Sequence, residues 1–105
     1  FGKVSQDAKL KSDVANAKNI ANAASALIAD GTIEVTGAVA AQPLDESATH
    51  AVADEVEKFL QAVPTPESSG YTSYTVEIDA QGNVTIEMTG TAGTKELYPD
   101  IPDTL

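Results

Sequence analysis

The chain has 105 residues, 42% of them hydrophobic and 21% charged, a composition typical of one globular domain with a modest core. It carries six lysines, no arginine and 16 acids, and this net charge of -10 argues against nucleic-acid binding, which needs clustered cations. It also lacks cysteine, which excludes disulfides and thiolate metal sites. No signal peptide is visible in these residues, and no apolar run reaches the roughly 18 residues of a membrane span.

The first predicted element is a long helix over residues 4–30. Nothing in this stretch breaks a helix, and Gly31 is suited to a left-handed C-terminal cap. A helix of this length spans roughly 39 Å, so its first two or three turns are expected to project from a domain of this size. Its apolar stripe, which Lys9 and Asp13 interrupt, comprises Leu10, Val14, Ala17, Ile20, Ala21, Ala24, Leu27 and Ile28.

The opposite side of this helix carries small and polar residues, namely Ala8, Ala15, Asn19, Asn22, Ala23 and Ala26. Small side chains allow another helix to approach closely, but alanine is also frequent in helices for its propensity alone. From the residues, both interpretations stay open. The helix also differs from the rest of the chain in charge: four lysines against two acids in residues 1–29, and two lysines against 14 acids afterwards.

The middle of the chain predicts a short strand and a second helix. The sequence TIEV at 32–35 alternates like a strand, and an irregular stretch follows it. A helix is predicted over residues 46–62, capped by Asp45 or Ser47 and ended by Pro64. Its apolar positions at helical spacing are Val52, Val56, Phe59, Leu60 and Val63.

Two alternating runs predict a β-hairpin over residues 72–90. Tyr74, Val76 and Ile78 share one face of the first strand, and Val84, Ile86 and Met88 repeat the pattern in the second. Gly82 suits the turn between them. Residues 91–105 form a proline-containing tail, which we expect to lie over the sheet through Leu97, Tyr98 and Ile101.

No motif for catalysis or cofactor binding is present, so an enzyme is not predicted and no cofactor is expected. His50 has no nucleophile elbow to serve and is interpreted as a surface residue. The sequon at 83–85 carries little weight, since such triplets arise by chance. A weak calcium candidate consists of the three acids in the tail, Glu96, Asp100 and Asp103, although solvated acids are the simpler interpretation.

The stretch AKLKSDVANAKNIANAASALIADG, residues 8–31, resembles the second half of the long N-terminal helix of type IV pilins and type II secretion pseudopilins. The order of the remaining elements is similar too: a connecting region, an antiparallel sheet and a C-terminal tail. The resemblance implies an α+β fold in which a long N-terminal helix packs on a small antiparallel sheet, here with a second helix in the connecting region. The lack of a disulfide near the C-terminus departs from many pilins.

This resemblance also implies a function. The chain would be the headgroup of a structural filament subunit, preceded by an apolar half-helix that anchors the precursor in the inner membrane. One face of the helix would meet the subunit's own sheet through Val14, Ala17, Ala21, Ala24, Leu27 and Ile28. The other face would meet identical subunits through Ala8, Ala15, Asn19, Asn22 and Ala26.

On this interpretation the protein belongs to a pilus on the bacterial cell surface, with identical subunits and the pilus assembly machinery as partners. Two alternatives remain open at the level of the sequence. The first is a type II secretion pseudopilin of the same fold, which calcium binding would favour. The second, from another class, is an extracellular adhesion or binding module carried on a helical stalk.

Overall fold

The computed structural model of the chain describes the backbone of residues 2–45 and 49–104, and the side chains of these residues from residue 6 onward. The described elements follow in the order α1 (Gly2–Ala29), β1 (Val39–Pro43), α2 (Ala51–Leu60), β2 (Ser73–Ile78), β3 (Val84–Gly90) and β4 (Gly93–Tyr98). The molecule is elongated, with extents of 45 × 26 × 22 Å. Its longest dimension is close to the length of a 28-residue helix, about 42 Å.

The helix α1 ends as its sequence predicts. Gly31 has a φ of +84°, the left-handed conformation of a C-terminal cap, and its N–H donates to the carbonyl of Ile28. The first buried side chain of α1 among the described residues is Leu10, and Gln6 and Ala8 are exposed. The described side chains of α1 that precede Leu10, those of residues 6–9, therefore lie outside the buried core.

The four strands form one antiparallel sheet in the order β1-β2-β3-β4. The hairpin predicted over residues 72–90 corresponds to β2 and β3, which pair Val76 with Ile86 and Tyr74 with Met88. These four side chains are fully buried. The architecture is thus α+β, with a long helix and a short one packed on a small antiparallel sheet.

Two strands differ from the sequence prediction. No strand forms at residues 32–35, and β1 instead covers the stretch 39–43, which was predicted to be irregular. In the tail, residues 93–98 form β4, whose Leu97 is buried at a bulge in the pairing with β3. The prediction that the tail lies over the sheet was therefore wrong for residues 93–98, which extend the sheet as an edge strand, and Ile101 beyond them is 51% exposed.

The second helix is shorter than predicted. It begins at Ala51, with His50 at the N-cap position, and Gln61 ends it in the left-handed conformation at φ 59°. Ser47, one predicted cap, lies with residues 46 and 48 outside the described residues. The first N–H groups of α2, those of Val52 and Ala53, donate to the side-chain oxygen of Gln42 at 2.9 and 3.1 Å. Since Gln42 belongs to β1, this cap joins the helix to the edge of the sheet.

Replacing Gln42 by alanine is expected to lower the free energy of unfolding by about 1 kcal/mol, because two N–H groups of α2 lose their acceptor. Urea unfolding followed by circular dichroism measures this change. Gln81→Ala, at an exposed position in the β2–β3 turn, is the matched control and should leave the stability unchanged. Equal effects of the two substitutions would contradict the capping role of Gln42.

The hydrophobic core lies between the two helices and one face of the sheet. The helix α1 contacts mainly β3 and β4, whereas α2 contacts α1 and the strands β1 and β2. Val52 and Val56 of α2 are buried in this core, but Phe59, which the spacing also assigned to it, is 53% exposed. In the last turn of α2, Leu60 packs against the core instead and is partly buried.

Candidate interaction surface on the first helix

The exposed side of α1 forms a continuous strip of small and polar residues. All five residues predicted for a contact face are exposed, and we call them the Ala/Asn strip: Ala8, Ala15, Asn19, Asn22 and Ala26. They span 19 residues of the helix, from Ala8 to Ala26, which at a rise of 1.5 Å per residue is about 27 Å. The strip presents no bulky side chain of its own, so another helix can approach its backbone closely.

The other side of α1 lies against the core of the domain. Of the six residues predicted to face the sheet, Ile28 is partly buried and packed against the core, and the rest are buried: Val14, Ala17, Ala21, Ala24 and Leu27. One assignment was wrong. Ala23, placed with the small residues of the opposite side, is only 2% exposed, because α1 has α2 beside it as well as the sheet.

Two grooves border the Ala/Asn strip. The first, which we call the tail groove, has a volume of about 430 Å³ and is lined by residues that include Leu10, Val14, Ala15, Lys18, Ile101 and Pro102. The second, of about 160 Å³, lies between α1 and the end of α2 and is lined by Asn16, Asn19, Ile20, Leu60, Ala62 and Pro64. At 100° per residue these two sets fall on opposite flanks of the strip, with Ala15 at one edge and Asn19 at the other.

A buried carboxylate fastens α1 to the rest of the domain. Asp13 is fully buried, and its two oxygens accept hydrogen bonds from the N–H of Glu67 at 2.8 Å, the N–H of Ser68 at 2.9 Å and the hydroxyl of Tyr74 at 2.9 Å. The side-chain amide of Asn16 donates to the same hydroxyl at 3.2 Å. The sequence showed Asp13 only as an interruption of the apolar stripe, and its partners 54 to 61 residues away were missed.

Burial raises the pKa of Tyr74 above its ordinary range, because the phenolate would lose its hydration, and the adjacent Asp13 carboxylate raises it further. The hydroxyl of Tyr74 thus remains protonated and can donate to Asp13 throughout the usual pH range.

The surface of α1 is basic in its described part. Because Asp13 is buried, this surface carries Lys9, Lys11 and Lys18 against Asp7 alone.

The face of the sheet that points away from the helices carries carboxylates in neighbouring strands. Glu87 of β3 pairs directly with Glu96 of β4, and Glu77 lies nearby in β2, the strand on the other side of β3. Partial burial raises the pKa of Glu87, and the negative charges of Glu77 and Glu96 raise it further. The acidic sheet and the basic helix are therefore opposite in charge.

Glu87→Gln is expected to stabilise the domain at neutral pH and to have no effect near pH 3. The pKa of Glu87 is higher in the folded state than in the unfolded state, so the protonated side chain contributes its full share to the free energy of unfolding below the unfolded-state pKa. That share of the stability is lost as the pH rises through the folded-state pKa, where Glu87 becomes charged. The gain at pH 7 is a few tenths of a kcal/mol, because solvent screens a partly exposed group. Thermal unfolding of both proteins from pH 3 to 7 measures it, and a difference that stays constant with pH would contradict this origin.

The weak calcium candidate in the tail is not assembled. Glu96 is fixed in β4 opposite Glu87, whereas Asp103 lies beside α1 at the tail groove. The carboxylate of Glu96 accepts a hydrogen bond from the N–H of Asp100 at 3.2 Å. Within the described part of the chain, no three acidic or histidine residues are grouped so that they could hold a metal ion.

Comparison with known proteins found no matching family model, no matching curated protein and no matching solved structure. Among the described helices, none combines the length and the apolar character needed to cross a bilayer. The candidate surface thus consists of a basic helix, an exposed Ala/Asn strip along its length, and a groove on each side of that strip.

Proposed function

We propose that the chain is the headgroup of a structural subunit in a filament of the type IV pilus kind, which assembles with identical copies through α1. The single observation that carries the proposal is the two-sided character of this helix. One side is buried on the subunit's own sheet and second helix, while the other exposes the Ala/Asn strip over about 27 Å. The solvent-facing side of a helix that packs on a core usually carries bulkier polar or charged residues instead.

Two further features support this role. The described side chains of α1 before Leu10 lie outside the buried core, and this end of the helix would continue into an apolar membrane-anchoring half. The resemblance of residues 8–31 to the second half of the pilin helix supplies the expectation of that apolar half. In the proposed filament the helices bundle along the axis, and the sheet faces outward at the cell surface.

The first experiment is on cells that produce the protein. Material sheared from the cell surface is separated, and the intact mass and N-terminal sequence of this chain are determined. The proposal expects an apolar segment of about 20 residues before residue 1, long enough for a membrane span. An N-terminus created by an ordinary cleaved signal peptide close to Phe1 would overturn it.

A substitution tests the strip itself. Asn22→Glu introduces a charge within the strip and is expected to abolish filaments in electron micrographs of sheared material, because each charge would be buried between helices. Gln81→Glu, in the exposed β2–β3 turn, adds the same charge elsewhere and should leave filaments intact. Thermal unfolding of both purified variants verifies the fold, and normal filaments from Asn22→Glu would contradict the proposed contact.

A further inference from the structure

The turn between β2 and β3 contains the triplet Asn83-Val84-Thr85, which fits the acceptor pattern for N-linked sugars. Such a triplet alone carries little weight, but the structure adds its setting. The side chain of Asn83 is exposed, and Asn83 directly precedes Val84, the first residue of β3 to pair with β2. The other three asparagines of the chain lie on α1, and none of them begins such a triplet. The pattern and an exposed turn therefore coincide at Asn83.

The side-chain amide of Asn83 can accept a sugar and keep its place in the turn. Its Nδ2 atom donates to Oδ2 of Asp79 at 3.0 Å, and the N–H groups of Gln81 and Asn83 donate to Oδ1 at 2.9 Å. These bonds, first of all the one from the Asn83 side chain, hold the pKa of Asp79 below its ordinary value. An amide nitrogen carries two hydrogens, and Asp79 uses one of them. A sugar would replace the other, so the hydrogen bonds of the turn can persist.

A groove begins at the same side chain. This groove, which we call the turn groove, has a volume of about 280 Å³ and is lined by Ser25, Gly82, Asn83, Val84, Tyr98 and Pro99. Tyr98 and Pro99 supply apolar ring surface, and the tyrosine also supplies a polar end. A sugar ring has the same two kinds of surface, because its C–H groups form apolar faces and its hydroxyl groups form a polar edge. The turn groove therefore suits a sugar that is attached to Asn83.

The turn groove lies off the Ala/Asn strip. Its one residue on α1 is Ser25, which at 100° per residue is at least about 60° around the helix from every member of the strip. Ser25 also stands 15 residues after Leu10, or about 22 Å farther along α1. A first sugar in this groove would thus leave the strip free and lie toward the end of α1 that is remote from its N-terminus.

We propose that Asn83 carries an N-linked glycan whose first sugar lies in the turn groove against Tyr98 and Pro99. The donor would be a sugar carried on a lipid diphosphate, and a membrane-bound transferase would join the two. Nδ2 of Asn83 forms a bond to the anomeric carbon of the sugar as the bond from that carbon to the diphosphate oxygen breaks. The diphosphate leaves with the electron pair, and the displaced amide proton passes to a base of the transferase.

This modification goes beyond the proposed function. It requires that the chain is exported, as that function does, but it does not require filaments.

Mass spectrometry of the chain and its peptides, isolated from cells that produce it, tests the modification. The proposal expects added sugar masses on the peptide that contains Asn83. Thr85→Ala removes the hydroxyl that the acceptor pattern requires and should abolish the added mass, whereas Thr85→Ser keeps that hydroxyl and should retain it. Asn22→Gln, at an exposed asparagine outside any such triplet, is the control and should retain it too. An Asn83 peptide of unmodified mass in exported protein would overturn the proposal.

Thermal unfolding tests the place of the first sugar. Thr85→Ala and Thr85→Ser are compared in protein from the producing cells and from a host that attaches no sugar. The Tm difference between the two variants should be about 2–4 °C larger in protein from the producing cells, since only there does Thr85→Ser carry a sugar packed on a ring. Adding Tyr98→Leu to both variants should remove this excess. An equal Tm difference from both sources would overturn the placement in the groove.

The two proposals fail separately. If sheared filaments contain the chain with an unmodified Asn83, the glycan is wrong and the filament role stands. If Asn83 is modified but no apolar segment precedes the chain in cells, the glycan stands and the filament role fails.

Discussion

Asp13→Ala is expected to lower the free energy of unfolding by about 3 to 4 kcal/mol, the largest effect of any single substitution predicted for this domain. The carboxylate is fully buried and accepts three hydrogen bonds, from two backbone N–H groups and one phenol. Alanine would leave all three donors without an acceptor, and each buried donor without a partner costs about 1–3 kcal/mol. Partial access of water near Glu67 keeps the total below the sum.

Thermal and urea unfolding measure this effect. For a domain of this size, about 1 kcal/mol corresponds to a shift in Tm of roughly 4–8 °C, so Asp13→Ala should melt more than about 12 °C below the parent protein. Asp7→Ala is the matched control, because Asp7 lies two turns earlier on α1 and is partly exposed. Its substitution is expected to change the stability by at most about 0.5 kcal/mol. A similar loss of stability in both variants would mean that the substitution of Asp13 acts on the helix itself and not through the three hydrogen bonds.

Gly90→Ala is expected to destabilise the domain by about 2 to 3 kcal/mol through overpacking. A Cβ atom at Gly90 would overlap the carbonyl oxygen of Gly70 and would lie 2.8 Å from the Cα of Tyr71. Both neighbours are backbone, so neither can rotate away. The segment before β2 is also hydrogen-bonded here, since the N–H of Thr72 donates to the carbonyl of Thr89 at 2.8 Å.

The control for Gly90 is another glycine in the same protein. A Cβ atom at Gly37 would meet no atom within 4 Å, so Gly37→Ala should be neutral or stabilise the domain by up to about 1 kcal/mol. Urea unfolding of the two variants separates the steric effect from the general effect of replacing glycine. If both lower the midpoint equally, the close approach at Gly90 is not the cause.

The long helix and the central hairpin were predictable because their signals are local. The apolar period of α1 and the alternation of β2 and β3 each repeat often enough to identify the element. The edge strands have no such signal. β1 reads VAAQP, with small residues and a proline that only an edge strand accepts, and its pairing with β2 is irregular. β4 loses its alternation at the bulge before Tyr98.

The interaction surface was predictable only in part, for a similar reason. The exposed strip follows from the helical period of α1 alone, and its five residues are all exposed. The tail groove depends on where Ile101 comes to lie relative to Val14, and no local pattern connects these two residues. Phe59 shares the spacing of Val52 and Val56, yet it is exposed while the neighbouring Leu60 packs against the core, because the tertiary arrangement decides which side of the last turn of α2 meets the core.

The position of Asp13 also has a mechanical consequence. In a subunit held by its N-terminus, tension would pass along α1 into the headgroup, and the first buried residue it reaches among those described is Leu10, with Asp13 three residues later. The three hydrogen bonds of Asp13 would bear that load in parallel, because they join α1 to both β2 and the segment before it. With no disulfide in the chain to share the force, we expect the carboxylate of Asp13 to set the force at which α1 detaches from the sheet.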